Sequence, residues 1–222
     1  MVHIIWDVHR IERNGEANAL RSFGIEIADS MEMTAELLRW EGWVTLNPKT
    51  TLLVFPGNGA ERVLELLPKE WLGYWNWARV FAKRIWEHGS DPVYYANRIY
   101  PHRMLMGITD VVILDDAIAG GGTCAKVRQE NEIWIPGARW SALTWIKQRK
   151  AWLKGNWRHV VAALKVGDKD KKSPMISLST LLEKPEIREA HLGRYYSPEA
   201  AAQIRPILLG LIEQHQPAEV VE

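Results

Sequence analysis

The stretch Val111-Val112-Ile113-Leu114-Asp115-Asp116-Ala117-Ile118-Ala119-Gly120-Gly121-Gly122-Thr123 constrains the fold more than any other part of the chain. Four apolar residues in a row leave no polar face for solvent, so the run reads as a strand covered on both sides, as in mostly parallel α/β sheets. Two carboxylates stand at its carboxyl end, and three glycines then turn the chain into a helix near Thr123. Ligands of open α/β sheets bind at that edge. Adjacent acids can accept hydrogen bonds from neighbouring sugar hydroxyls, and glycines at a helix start leave backbone N–H groups open to a phosphate. A sugar phosphate would satisfy both ends.

The rest of the chain supports an α/β alternation. Apolar runs at Val2 to Trp6, Thr51 to Phe55, Val80 to Ile85, Ala142 to Ile146 and Val160 to Val166 read as further strands. Helices fit at Ser30 to Trp40, at Ala60 to Leu67 after the turn Gly57-Asn58-Gly59, and at Thr123 to Gln129. Residues Glu87 to Gly107, with Gly89, Pro92, Pro101 and Gly107 around an alternating segment, read as a long mobile hairpin. After the polar linker Gly167 to Pro174 the chain reads as helical. Ser197 before Pro198 and Glu199 is a good helix start, and Pro206 should kink or break that last helix. The expected architecture is one α/β domain with a mostly parallel sheet. Its core is expected at about 44–166, with a flexible hairpin lid and a helical hood from about 1–43 and 167–222.

Composition limits the function classes. At 222 residues, with 28 Lys+Arg against 27 Asp+Glu and 47% hydrophobic residues, the chain can bury an ordinary core. No apolar stretch approaches the roughly 20 residues of a membrane helix, and the first ten residues, which include Asp7 and Arg10, lack a signal-peptide layout. A cytoplasmic location without membrane association is expected. The single Cys124 forms no internal disulfide, and the seven histidines show no zinc-type spacing. Cys124 at a helix start reads as small buried filler rather than a reactive thiolate. From Arg139 to Lys172 the local net charge is +8, interleaved with Trp140, Trp145, Trp152 and Trp157. Single-stranded nucleic acid binders use that mixture, but with an overall charge of +1 core packing or a hood accounts for it more simply.

Other phosphate-binding patterns fit poorly. No G-x-x-x-x-G-K-[ST] is present, and neither glycine cluster continues as the G-x-G-x-x-G of dinucleotide folds. A methyltransferase cofactor turn at Leu52 to Ala60 lacks the full glycine pattern and an acid at the next strand end. Instead, Val111 to Thr123 resembles the phosphoribosyl-diphosphate (PRPP) motif of the type I phosphoribosyltransferases. That motif has four apolar residues, two acids, two mostly apolar residues, a small residue, then Thr-Gly-Gly-Thr. The register agrees at every position but one, where Gly120 stands in place of the first threonine.

The resemblance implies a fold, an activity and a set of roles. Asp115 and Asp116 would hold the ribose 2- and 3-hydroxyls. Ala119, Gly120, Gly121, Gly122 and Thr123 would wrap the 5-phosphate. Gly57, Asn58, Gly59 and Ala60 would receive the pyrophosphate, and Lys83 or Arg84, on a basic strand with Arg79, would neutralise it as it leaves. Arg98, His102 and Arg103 would close over the substrate from the lid. Lys165, near a strand end, corresponds loosely to the lysine that contacts the base in relatives acting on 6-oxopurines. Magnesium would be held by the substrate's own oxygens, with no ion held mainly by the protein. The implied activity is transfer of a 5-phosphoribosyl group from PRPP to a nitrogenous acceptor, most plausibly a nucleobase, in a homo-oligomer of the dimeric kind. The rival expectation is a regulatory protein that senses PRPP while binding RNA or DNA without turnover.

Overall fold

The computed structural model describes residues 1–8, 15–85, 92–99, 105–168 and 173–215. The chain divides into two compact units, residues 31–172 and a unit assembled from 1–30 and 173–222.

The larger unit is built on five parallel strands. In chain order they are β3 (Thr51–Pro56), β4 (Asn76–Val80), β7 (Asp110–Ile118), β8 (Arg139–Gln148) and β9 (Trp157–Val166), arranged in space as β4-β3-β7-β8-β9. Two of its crossovers are helical, and residues 149–156 join β8 to the parallel β9 as a loop. Helix α3 (Gly57–Leu66) and the short α4 (Lys69–Leu72) join β3 to β4, and α5 (Gly122–Asn131) joins β7 to β8. Leu52, Leu53, Val54 and Val111 to Leu114 are all fully buried, as their unbroken apolar runs require. Trp140 and Trp145 are also core residues, and the Trp145 indole donates to Thr34 Oγ1 at 2.8 Å. The amino edge of the sheet is tied by charge. Buried Asp110 accepts from Arg139 Nε and Nη2 at 2.9 and 2.6 Å and from Arg158 Nη1 at 3.0 Å, which lowers its pKa. Two cations of the basic segment are therefore spent on a structural carboxylate.

The expected strand Val80 to Ile85 divides in two. Val80 ends β4, whereas β5 (Ala82–Ile85) leaves the sheet and pairs antiparallel with β6 (Val93–Ala96). Lys83 and Arg84 therefore stand on a hairpin and not on a strand of the main sheet. The same hairpin contains the expected lid, of which residues 92–99 and 105–107 are described. His102 and Arg103 lie outside the described residues. The returning arm is fixed by Asn131 at the end of α5, fully buried, which accepts from the Ile99 N–H at 2.8 Å and donates to the carbonyls of Asn97 and Val127.

The unit formed by the chain ends is more than a set of helices. It carries a second parallel sheet, ordered β10-β1-β2, from β1 (Val2–Trp6), β2 (Ile25–Asp29) and β10 (Met175–Ser177). Helices α1 (Glu16–Ser22), α6 (Leu178–Glu183), α7 (Pro185–Tyr195) and α8 (Pro198–His215) complete it around Ile4, Trp6, Leu20, Leu181, Leu192 and Leu208. Asp7 accepts from both the N–H and the hydroxyl of Ser179 at the start of α6. Ser197 caps α8 as expected, accepting from the Ala200 N–H at 3.2 Å. Pro206 does not end that helix, which runs on to His215. Ile204, Leu208 and Leu211, on both sides of the proline, are buried in one core, and that packing outweighs the local cost of the missing N–H. Among the described residues no helix is long and apolar enough to cross a membrane.

Candidate functional site

Strand order fixes where a ligand can enter. From β3 the chain moves outward to β4, and from β7 it moves the other way to β8, so the order reverses between β3 and β7. The hydrogen bonding shows the split directly. β3 and β7 stay paired from Thr51↔Asp110 to Val54↔Ile113, after which β3 continues only with β4, to Pro56↔Val80, and β7 only with β8, to Ile118↔Lys147. The crevice opens at the residues where the sequence places the acids.

A helix starts on each side of this crevice without a side-chain cap. Helix α3 begins at Gly57, so Gly57, Asn58, Gly59 and Ala60 form its first turn; the sequence pattern suggested a loop ahead of a helix starting at Ala60. Gly57 has φ +67° and lies so close to the Ala82 carbonyl that a Cβ would sit 2.8 Å from its oxygen, which only glycine allows. Helix α5 begins at Gly122, preceded by Gly121 at φ +80°. Gly121 also admits Leu153 and the Trp152 carbonyl, which a Cβ would meet at 3.0 and 3.2 Å. Both helices thus keep first-turn N–H groups free of side-chain caps near the crevice, where the helix dipole favours anions.

The acids join these two turns. A Cβ on Gly59 would collide with the Asp116 carboxylate, 2.7 Å from Oδ2, so the acid near the end of β7 rests on the glycine in the first turn of α3. Asp115 lines a small cavity of about 40 Å³ together with Ala119 to Cys124, Arg84 and Tyr94. Its carboxylate accepts from the Asp116 N–H at 3.0 Å. Burial first, and the neighbouring Asp116 charge second, push the Asp115 carboxyl well above the ordinary carboxylate range. Such a pair gains from hydroxyl donors or a cation arriving beside it. Cys124 is buried, and burial with the nearby Asp115 charge raises its thiol, so it acts as filler.

The remaining candidates separate. Arg84 faces the 40 Å³ cavity with its cross-strand neighbour Tyr94, whereas Lys83, the next residue along the strand, is exposed and does not line it. The Tyr94 ring lies on Gly122, where a Cβ would fall 2.6 Å from Cε1, so the hairpin rests on the start of α5. Arg98 lies over the Trp134 ring at 5.3 Å. Lys165 is exposed on the edge strand β9, one strand farther from the acids than Lys147, its register partner on β8. Lys147 was not among the sequence candidates. Its ammonium donates to the carbonyls of Gln148 and Ala151 at 3.1 and 3.0 Å, and burial together with Lys165 lowers its pKa. The available signal was its place at the carboxyl end of the strand beside the acid strand.

Gly120 is exposed, its φ is not positive, and a Cβ there would meet only the Tyr94 hydroxyl at 4.0 Å. Backbone conformation does not require glycine at this position. Among the described residues no group of three His, Cys, Asp or Glu could hold a metal ion.

No family model matches the chain, and no curated protein matches it. Solved structures similar to it include a purine phosphoribosyltransferase from Pyrococcus horikoshii, at 15% identity over 80% of this chain and 93% of that one, with a TM-score of 0.43. A xanthine-guanine-hypoxanthine phosphoribosyltransferase from Helicobacter pylori is similar at 11% identity over 84% and 99% of the two chains, with a TM-score of 0.45. A hypoxanthine phosphoribosyltransferase from Staphylococcus aureus is similar at 11% identity over 63% and 74%, with a TM-score of 0.46.

Proposed function

We propose that this protein binds PRPP in the crevice between β3 and β7 and transfers its 5-phosphoribosyl group to a nitrogenous acceptor of the nucleobase type, releasing pyrophosphate. The observation that carries this reading is the contact of Asp116 with Gly59, which puts the acid pair and both glycine-opened helix starts around one crevice. The N–H groups of Ala119 to Thr123 hold the 5-phosphate, and those of Gly57 to Ala60 hold the pyrophosphate. Asp115 and Asp116 accept from the ribose hydroxyls. Breaking the anomeric C–O bond builds positive charge on the sugar and negative charge on the pyrophosphate. The aspartates stabilise the first, and the α3 N–H groups with Arg84 stabilise the second.

Magnesium fits this donor set as an ion carried in by the substrate, because the crevice offers an acid pair and no third acidic or imidazole ligand among the described residues. When bound, it would offset charge on the departing pyrophosphate. Lys147, at the crevice side of Lys165, is the better placed of the two to meet an acceptor. The test is pyrophosphate release from PRPP and magnesium with a panel of nucleobases. Release with one base supports the reading, and absence of PRPP binding by calorimetry at any magnesium concentration overturns it.

A further inference from the structure

The turn that would receive the 5-phosphate is not closed on its outer side. Gly120, Gly121, Gly122 and Tyr94 line the 40 Å³ cavity beside Asp115, and the same four residues line a second, far larger cleft of about 640 Å³. A terminal phosphate needs no such space, whereas 640 Å³ is within the range of clefts that hold whole small molecules. The cleft runs along the flank of α5, past Ala125, Lys126 and Gln129, and is bounded across from the hairpin by the β8–β9 loop at Trp152, Lys154 and Gly155.

Three features of the larger cleft point to an extended ligand that carries a planar ring. First, the residue at the junction is Gly120, exposed and with open space where a Cβ would stand, so nothing blocks a group leaving the phosphate outward. Second, Trp152 is 79% exposed on the cleft wall although its neighbour Leu153 is buried against Gly121. An indole left in water beside an apolar anchor is a platform for a planar ring. Third, the loop carrying Trp152 is held in place. Arg128 donates to the Asn156 carbonyl at 2.6 Å, lies over the Trp157 ring at 5.5 Å and pairs with Glu132 at 3.0 Å. The other basic groups at the cleft are Lys126, paired with Glu130 at 2.6 Å, and the exposed Lys154.

We infer that the site accepts a ribosyl 5-phosphate whose phosphate is itself esterified, with a nucleoside-type substituent lying along α5 and its planar base on Trp152. The inference rests on the proposed reading of the Gly120–Gly122 turn as a 5-phosphate site, and it names the substrate class that this site takes. A diphosphate link suits this cleft, because Lys154 and the Glu130-paired Lys126 line it beside the start of α5.

The probe is ADP-ribose, which has a free anomeric hydroxyl and the required substituent on its 5-phosphate. Calorimetry with the full chain and magnesium compares ADP-ribose, ribose 5-phosphate and PRPP. ADP-ribose is expected to bind at least tenfold more tightly than ribose 5-phosphate and to be displaced by PRPP. Trp152→Ala is expected to remove most of that advantage while leaving ribose 5-phosphate affinity unchanged. Equal or weaker binding of ADP-ribose, with ribose 5-phosphate and PRPP still bound, overturns the inference and leaves the phosphoribosyl reading intact. An advantage that survives Trp152→Ala, or that PRPP cannot displace, also overturns it. Failure of all three ligands to bind removes both readings.

Discussion

Gly59 and Asp116 touch across the opening between β3 and β7, with the carboxylate of Asp116 in the space a side chain at position 59 would occupy. The glycine in the first turn of α3 leaves the space that the acid near the end of β7 occupies. Gly59→Ala should therefore push Asp116 out of place. Overpacking of this kind costs about 1–3 kcal/mol. The expected result is a folded protein, less stable by that amount in urea, whose PRPP affinity falls at least tenfold. Unchanged affinity by calorimetry would show that the contact does not position the acid.

Asp115 sets a pH dependence. Its carboxyl is raised by burial and by Asp116, so the folded state holds this proton to higher pH than the unfolded chain does. Its favourable contribution is complete below the ordinary aspartate value near 3.9 and is lost as pH rises through the raised value. Asp115→Asn should accordingly be more stable than the wild type at pH 8, with the gap closing toward pH 4, and should no longer bind PRPP. Urea unfolding at several pH values checks the first part, and a loss of stability at pH 8 would show the carboxylate to be structural.

His191 acts in the opposite direction in the other unit. It is buried, its Nε2 has no hydrogen-bond partner, and burial lowers its pKa to about 4. The unfolded chain binds this proton at about pH 6.5 and the folded one does not, so stability should fall as pH drops from about 6.5 to about 4, by up to about 3 kcal/mol. His191→Phe should flatten that slope. An acid slope as steep as that of the wild type would assign the loss to other groups.

Asn131, itself fully buried, anchors the returning arm of the hairpin through two hydrogen bonds, to the Ile99 N–H and the Asn97 carbonyl, and makes a third within α5 to the Val127 carbonyl. Asn131→Ala leaves the buried Ile99 N–H without its acceptor, at about 1–3 kcal/mol. Amide exchange over residues 92–99 should accelerate more than exchange in β7 or β8. Uniform acceleration would mean that Asn131 supports the whole unit and not the hairpin in particular.

Gly120→Thr should be nearly neutral for stability, within about 0.5 kcal/mol, because its φ is ordinary and its surroundings are open. On the proposed reading a threonine there would supply a hydroxyl to the 5-phosphate, a charge-assisted bond worth about 1.5–3 kcal/mol. PRPP binding should tighten; weaker binding would mean that the glycine backbone itself approaches the ligand.

What the sequence determined by itself is local. The run Val111 to Leu114 reads as a doubly covered strand, the acids and glycines after it as its carboxyl end and a turn into a helix, and Ser197-Pro198 as a helix start. Each of these follows from residues within a few positions of one another. Tertiary structure decided the matters that depend on distant partners. Ala82 to Ile85 follows Val80 and Phe81 without a break in the sequence, yet it leaves the sheet and pairs with Val93 to Ala96, because strand membership is set by the partner and not by the run. The ranking of Lys147 above Lys165 depends on which strand lies beside β7, and the survival of α8 through Pro206 depends on a core that buries residues on both sides of the proline. The contact of Gly59 with Asp116 joins two motifs 57 positions apart. Only the divergence of β3 from β7 after Val54 and Ile113 brings them to one crevice, because register between strands is a property of the assembled sheet.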